Sequence, residues 1–167
     1  MQGANSTVVY YKSYIAKTTT EDDDYHEPLE AATYREAYLQ TLFSKYYKFV
    51  PEVYSVHNET ITMQRVLKSE RLEQYLLRNK GSISRSTLIA KIEVIITALA
   101  KAKILHRDVT YENILVDADE NLWLLDFGNA RRYQDSESAE EMKEWDRSIF
   151  VDTLNDLDRS INLRMLP

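Results

Sequence analysis

Two stretches decide the reading of this chain: Ile104–Asp117, ILHRDVTYENILVD, and Leu122–Gly128, LWLLDFG. An apolar lead-in meets His106, Arg107 and Asp108. Asn113 then opens a run with strand character, and after the polar turn DADEN a second apolar run ends at Asp126. Two such runs around an Asp/Asn turn predict a β-hairpin. Its open end brings Asn113 and Asp126 side by side, although they are far apart in order. An amide oxygen and a carboxylate converging there suit a hard divalent cation such as Mg²⁺, which takes oxygen ligands and fills its remaining positions with water and substrate phosphate. Asp108 then lies close enough to orient an attacking hydroxyl or to take its proton. Gly128 is expected to let the backbone turn sharply after Asp126. Taken singly, each of these is an ordinary turn residue. The ordered set of H-R-D, then Asn, then D-F-G carries a mechanism.

The rest of the composition narrows the class. The chain has 167 residues, 44% hydrophobic and 29% charged, enough for one sizeable core or two small lobes sharing a cleft. No apolar run approaches the ~18 residues that a membrane span needs. The start, MQGANSTVVYYKS, has no signal-peptide pattern, and Gly3 is one place too late for myristoylation. With no cysteine, disulfides and thiolate metal sites are excluded, and three scattered histidines disfavour a His-based zinc site. A net charge of −6 argues against autonomous nucleic-acid binding, which needs clustered Lys and Arg. The expected location is the cytoplasm, with the nucleus as the alternative.

Periodicity sets the order of elements. Ser6–Thr18 is rich in β-branched and aromatic residues and predicts a hairpin; TTTEDDDYHEP reads as an exposed acidic loop. Glu30–Tyr47 has helical spacing, with Tyr34, Ala37, Tyr38, Leu42 and Phe43 on one side. FVPEVYSV and ETITMQRV predict paired strands, and Arg71–Arg78 a short helix. Ser84–Lys103 carries an apolar stripe of Leu88, Ile92, Ile95, Ile96 and Leu99. A last helix runs from Ser138 to about Asn162, with Trp145, Ile149, Phe150, Leu154 and Leu157 expected to face inward. The natural division leaves a β-rich part at 1–66 and a helical part at 67–167, with a ligand cleft between them.

On the strength of His106–Asn113 and Asp126–Gly128, the chain resembles the eukaryotic-like protein kinase superfamily. That resemblance implies an α+β, two-lobed kinase-like fold with a small β-rich N-lobe carrying one helix and a reduced helical C-lobe. It implies Asp108 as catalytic base, Asn113 and Asp126 as Mg²⁺ ligands, and His106 and Phe127 as packing residues. It calls for a strand lysine paired with a helix glutamate: Lys17 and Glu36, with Lys12 and Glu30 as competitors. Met63 would guard the back of an adenine pocket, Gln64 to Val66 would offer hinge groups, and Leu115 would form its floor. Val8 would cap the adenine. ATP and Mg²⁺ are the implied cofactors.

The chain departs from the family pattern at three places. The glycine-rich phosphate loop keeps only Gly3, with Ser6 where another glycine would fall. Thr110 stands where many Ser/Thr kinases carry lysine, which is similar to the small atypical kinases of the Bud32/RIO type, although Arg107 is retained. No Ala-Pro-Glu motif follows Gly128, and Asp146 or Asp152 is left to tie the last helix to the catalytic loop. The expected function is a minimal ATP- and Mg²⁺-dependent protein kinase, Ser/Thr-directed, acting on a protein, on itself or as an ATPase. The alternative is a pseudokinase or kinase mimic acting through a protein partner. Either reading expects a protein substrate or regulatory partner.

Overall fold

A computed structural model of the protein describes residues 5–21, 27–80, 84–134 and 136–161. In chain order these form β1 (Asn5–Tyr10), β2 (Tyr14–Glu21), α1 (Leu29–Phe43), β3 (Val53–His57), β4 (Thr60–Gln64), β5 (Ser69–Arg71), α2 (Leu72–Arg78), α3 (Arg85–Lys101), β6 (Ile104–Leu105), a 3-10 turn (Tyr111–Asn113), β7 (Ile114–Asp117), β8 (Leu122–Leu124), β9 (Arg131–Arg132) and α4 (Ala139–Ile161). The first four strands make one antiparallel sheet in the order β1-β2-β4-β3. Val8 lies opposite Lys17, and Lys17 opposite Ile61; Tyr10 lies opposite Ile15, and Ile15 opposite Met63. Directly paired residues share a face, and side chains alternate along a strand. One face therefore presents Val8, Tyr10, Ile15, Lys17, Ile61 and Met63 together. That face looks onto α1 and the cleft.

The helical part is organised around α3. Ser84 Oγ caps it by accepting from Thr87 N at 3.3 Å, and its whole predicted stripe is buried. The core gathers that stripe, Phe150, Leu154 and Leu157 of α4, Ile114, Val116, Leu122 and Leu124 of the β7–β8 hairpin, and Phe127. Leu39 and Phe43 at the end of α1 belong to the same cluster. The helix that carries Glu36 is thus rooted by its C-terminal turn in the helical half. Tyr47 Oη donates to Leu122 O at 2.6 Å and Leu124 N to Phe49 O at 3.1 Å, which fixes the hairpin against the chain leaving α1.

Several expectations need correction. The first helix is Leu29–Phe43, and its inner face carries Ala32, Thr33, Glu36, Ala37, Leu39, Gln40 and Phe43, whereas Tyr34 and Tyr38 are exposed. Hydrophobicity alone mis-set this face, because its cleft side is built from polar groups with partners. Thr18–Thr20 extends β2 and is not loop. Asn113 ends a 3-10 turn before β7, and Asp126 lies beyond the end of β8. Trp145 is 54% exposed, on the outer side of α4. The short strands β5, β6 and β9, of two or three residues each, gave no periodic signal.

His106 is fully buried, its ring 4.8 Å from that of Phe127, which in turn lies 5.5 Å from Phe43. Burial lowers its pKa from 6.5 to about 4, with the Asp126 charge and the Leu125 carbonyl working weakly against this. The folded protein refuses a proton that the unfolded chain accepts near pH 6.5. Stability from this group is therefore full above pH 6.5 and is lost as pH falls towards 4, at about 1.4 kcal/mol per pH unit. We expect His106→Leu to lack this component. In denaturant titrations the wild-type and His106→Leu stabilities should converge by about 3 kcal/mol between pH 6.5 and 4; parallel pH profiles would contradict the assignment.

Candidate active site

Three adjoining cavities line the cleft. The middle one, about 380 Å³, is bounded by Ser6, Val8, Lys17, Met63, Asn113 and Asp126 among others. A cavity of about 280 Å³ continues along Gln64, Val66 and Leu115, and a third of about 210 Å³ brings together Ser6, Lys17, Asp108 and Asp126. Every residue singled out in the sequence for nucleotide or catalysis lines one of these spaces, except Gly3, which lies outside the described residues. Both competitors are displaced: Lys12 and Glu30 are exposed. Leu125, which the sequence reading passed over, lines both of the first two cavities beside the hinge.

The centre is Lys17. Only 8% exposed, its Nζ donates to Glu36 Oε1 at 2.8 Å and to Asp126 Oδ1 at 2.7 Å. Burial alone would lower its pKa, but the two carboxylates outweigh burial and hold it above the ordinary lysine range. Asp126 experiences the reverse: burial pushes its carboxyl up, and the Lys17 ammonium more than offsets this, leaving it below the usual value. Asp126 sits at φ 59°, so the left-handed residue here is the acid itself. Gly128 matters for closeness. Its N–H donates to Asp126 Oδ1 at 3.1 Å, and a Cβ on it would come within 3.1 Å of that same oxygen and 3.7 Å of Glu36 Oε2.

Asp108 is oriented from two sides. Asn113 Nδ2 donates to Asp108 Oδ2 at 2.9 Å and to Asp108 O at 3.1 Å, and Asn129 Nδ2 reaches Oδ2 at 3.4 Å. Burial, and then the nearby Asp126 charge, raise the pKa of Asp108. With its nitrogen committed to Asp108, Asn113 has its amide oxygen left to accept. Asn113 and Asp126 line the same cavity, and an amide oxygen with a carboxylate is a donor set that fits Mg²⁺, which is commonly held by one or two protein oxygens and completed by phosphate and water. The described residues contain no cluster of three or more His, Cys, Asp or Glu suited to a metal.

The backbone at His106 and Arg107 is held from below by α4. Asp146, 1% exposed, accepts from His106 N at 3.0 Å and from Arg107 N at 2.8 Å, while Arg107 takes φ 68°. Of the two acids left open by the sequence, Asp152 is exposed on the outer side. Asn129 and Gln40 are site residues that sequence reasoning missed. Asn129 directly follows D-F-G, and Gln40 lies one helical turn beyond Glu36, on the same face. Gln40 Nε2 donates to Pro51 O at 2.6 Å beside Met63.

A β-sheet lobe over a helical one, with a polar cleft between, is the two-lobed α+β architecture of kinase-like phosphotransferases. The chain belongs to the protein kinase domain family, whose model matches residues 4–148. A search of curated proteins gave no significant match. Family membership implies kinase-like phosphotransfer and the use of ATP, usually with Mg²⁺. No helix among the described residues is long and apolar enough to cross a membrane.

Removing Lys17 strands a carboxylate. Glu36 is 3% exposed, so Lys17→Met leaves a buried acid without its cation, expected to cost about 3–5 kcal/mol. In the double variant Lys17→Met/Glu36→Leu most of that loss returns, because the uncompensated charge is gone. Urea denaturation measures both; equal stability of the single and double variants would refute the burial argument.

Proposed function

We propose that the protein is a minimal ATP- and Mg²⁺-dependent protein kinase that transfers the γ-phosphoryl group to a Ser or Thr hydroxyl on a protein, its own chain included. The observation carrying this reading is that Lys17, Glu36 and Asp126 form one bonded cluster beside the bonded pair Asp108–Asn113, all bordering one cleft. We assign the parts from 1–66 and 67–167 as its two lobes. The small atypical Bud32/RIO-type kinases are the group we favour, on Thr110 and the sparse glycine loop.

In this reading the adenine lies between Val8 above and Leu115 below, with Met63 behind and the Gln64–Val66 backbone at its edge. Lys17 exchanges its bond to Asp126 for the α- and β-phosphates while keeping Glu36. Asp126 and the Asn113 oxygen are the groups that would hold Mg²⁺, which would supply neutralisation of charge on the phosphate oxygens. Asp108 has Oδ2 pinned by Asn113 and Asn129, leaving Oδ1 to face the acceptor. The acceptor oxygen forms a bond to the γ-phosphorus, the bond to the β-phosphate oxygen breaks, ADP leaves and the hydroxyl proton passes to Asp108. Ser6 offers a hydroxyl and a backbone N–H near the phosphates in place of glycine. A protein substrate or regulatory partner and a cytoplasmic location, with the nucleus as the alternative, complete the proposal.

With γ-labelled ATP, Mg²⁺ and a generic Ser/Thr protein acceptor, Asp108→Ala is expected to lower phosphate transfer by about a thousandfold, since base and orientation are lost together. Because burial and Asp126 raise the Asp108 pKa, the rate should rise with pH through a point above the ordinary carboxylate range. A wild type that neither labels an acceptor nor itself nor releases phosphate, or an Asp108→Ala as active as wild type, would overturn the proposal.

A further inference from the structure

Arg35 precedes Glu36 on α1, and its guanidinium reaches across the cleft. Nη1 donates to Ala130 O at 2.8 Å and to Gly128 O at 3.2 Å, and Nε donates to Glu27 Oε2 at 3.1 Å. The two carbonyls stand two and four residues after Asp126. The clamp therefore joins the residue next to one partner of Lys17 to the segment that follows the other. Guanidinium geometry is rigid and permanently charged, so two carbonyls held together fix a helix more tightly than a single ammonium could. The segment it grips is itself fixed. β9 pairs with β6, Arg131 donates two hydrogen bonds to the Glu137 carboxylate at 2.6 and 3.1 Å, Gln134 N donates to Glu137 Oε2 at 2.7 Å, and Tyr133 Oη donates to Ala100 O at 2.7 Å.

We propose that Arg35 is a positioning residue that locks α1 onto residues 128–130, so that the Lys17–Glu36–Asp126 cluster is assembled without phosphorylation of the chain. The proposal rests on the kinase reading of the same cleft. α1 is also held by its C-terminal turn in the core, by Thr33 Oγ1 donating to Thr19 Oγ1 at 3.2 Å, by Gln40 Nε2 donating to Pro51 O at 2.6 Å and by Ala37 against Ile61 and Met63, but neither of these hydrogen bonds reaches residues 128–130. Rotation of the helix about its own axis, which would carry Glu36 away from Lys17, is opposed at the level of Glu36 by Arg35.

The test compares wild type, Arg35→Ala, Arg35→Lys, Glu36→Gln and the Arg35→Ala/Glu36→Gln double. With labelled ATP, Arg35→Ala should lower kcat by about tenfold or more, and Arg35→Lys should recover part of it by reaching one carbonyl. In the Glu36→Gln background the same change should cost less than about twofold, because Arg35 acts through Glu36. Amide hydrogen exchange over 29–43 and 128–133 should accelerate by about tenfold in Arg35→Ala. Wild type treated with a broad-specificity phosphatase should keep its rate. Overturning results are unchanged exchange in Arg35→Ala, a full additive loss in the double variant, or inactivation by phosphatase. If wild type transfers no phosphate at all, the kinase reading fails, and the exchange measurement alone decides the clamp.

Discussion

One buried ammonium between two carboxylates organises this molecule. Lys17 comes from the sheet, Glu36 from α1 and Asp126 from the end of the β7–β8 hairpin, so three elements distant in sequence meet at a single charge. Such a group is costly to bury alone and tolerable only when paired and hydrogen-bonded. Two acids flank one base here, and under the proposed kinase reading Lys17 would exchange its bond to Asp126 for an anionic phosphate while Asp126 would turn to a cation.

The scaffold beneath this cluster works by removing freedom from short polar segments. Asp146 takes up two backbone N–H groups at His106 and Arg107, where a left-handed residue breaks any regular pairing. His106 packs edge-on to Phe127, and Phe127 tilted against Phe43, which joins the His106–Asp108 loop, the D-F-G segment and the foot of α1 through the core. Apolar burial thus fixes the positions from which Asp108, Asn113 and Asp126 point into the cleft, and the polar atoms themselves carry little of the packing. This division is consistent with the neutral state of His106, whose role is to fill space.

Much of this was legible in the order of residues. The hairpin and the H-R-D, Asn, D-F-G set stood out because strand periodicity and turn chemistry bracket them tightly. Lys17 could be told from Lys12 only by pairing, since both stand in or beside the first hairpin. The face of α1 was misjudged for a physical reason: Glu36 and Gln40 are inside because they have partners across the cleft, and Tyr34 and Tyr38 are outside because aromatic rings tolerate water. Partnership between distant groups leaves no mark on a hydrophobic pattern. The same holds for Arg35, whose acceptors are main-chain carbonyls and have no sequence identity, and for Asp146 against Asp152, which differ only in which side of α4 they occupy. Trp145 falls outside the stripe on α4 because, five residues before the buried Phe150, it lies about 140° around the helix from it.

The kinase proposal requires that the cleft bind a nucleoside triphosphate with magnesium through Lys17. Thermal unfolding of the wild type and of Lys17→Met, each with and without saturating ATP and Mg²⁺, tests it most directly. Binding to the folded state alone adds RT ln(1 + [L]/Kd), about 2.7 kcal/mol at a hundredfold excess over Kd. The account predicts a rise in the wild-type melting temperature that requires both ATP and Mg²⁺ and is largely lost in Lys17→Met. A wild type whose melting is unmoved by millimolar ATP and Mg²⁺ would contradict it and leave the chain as a kinase-shaped binding module.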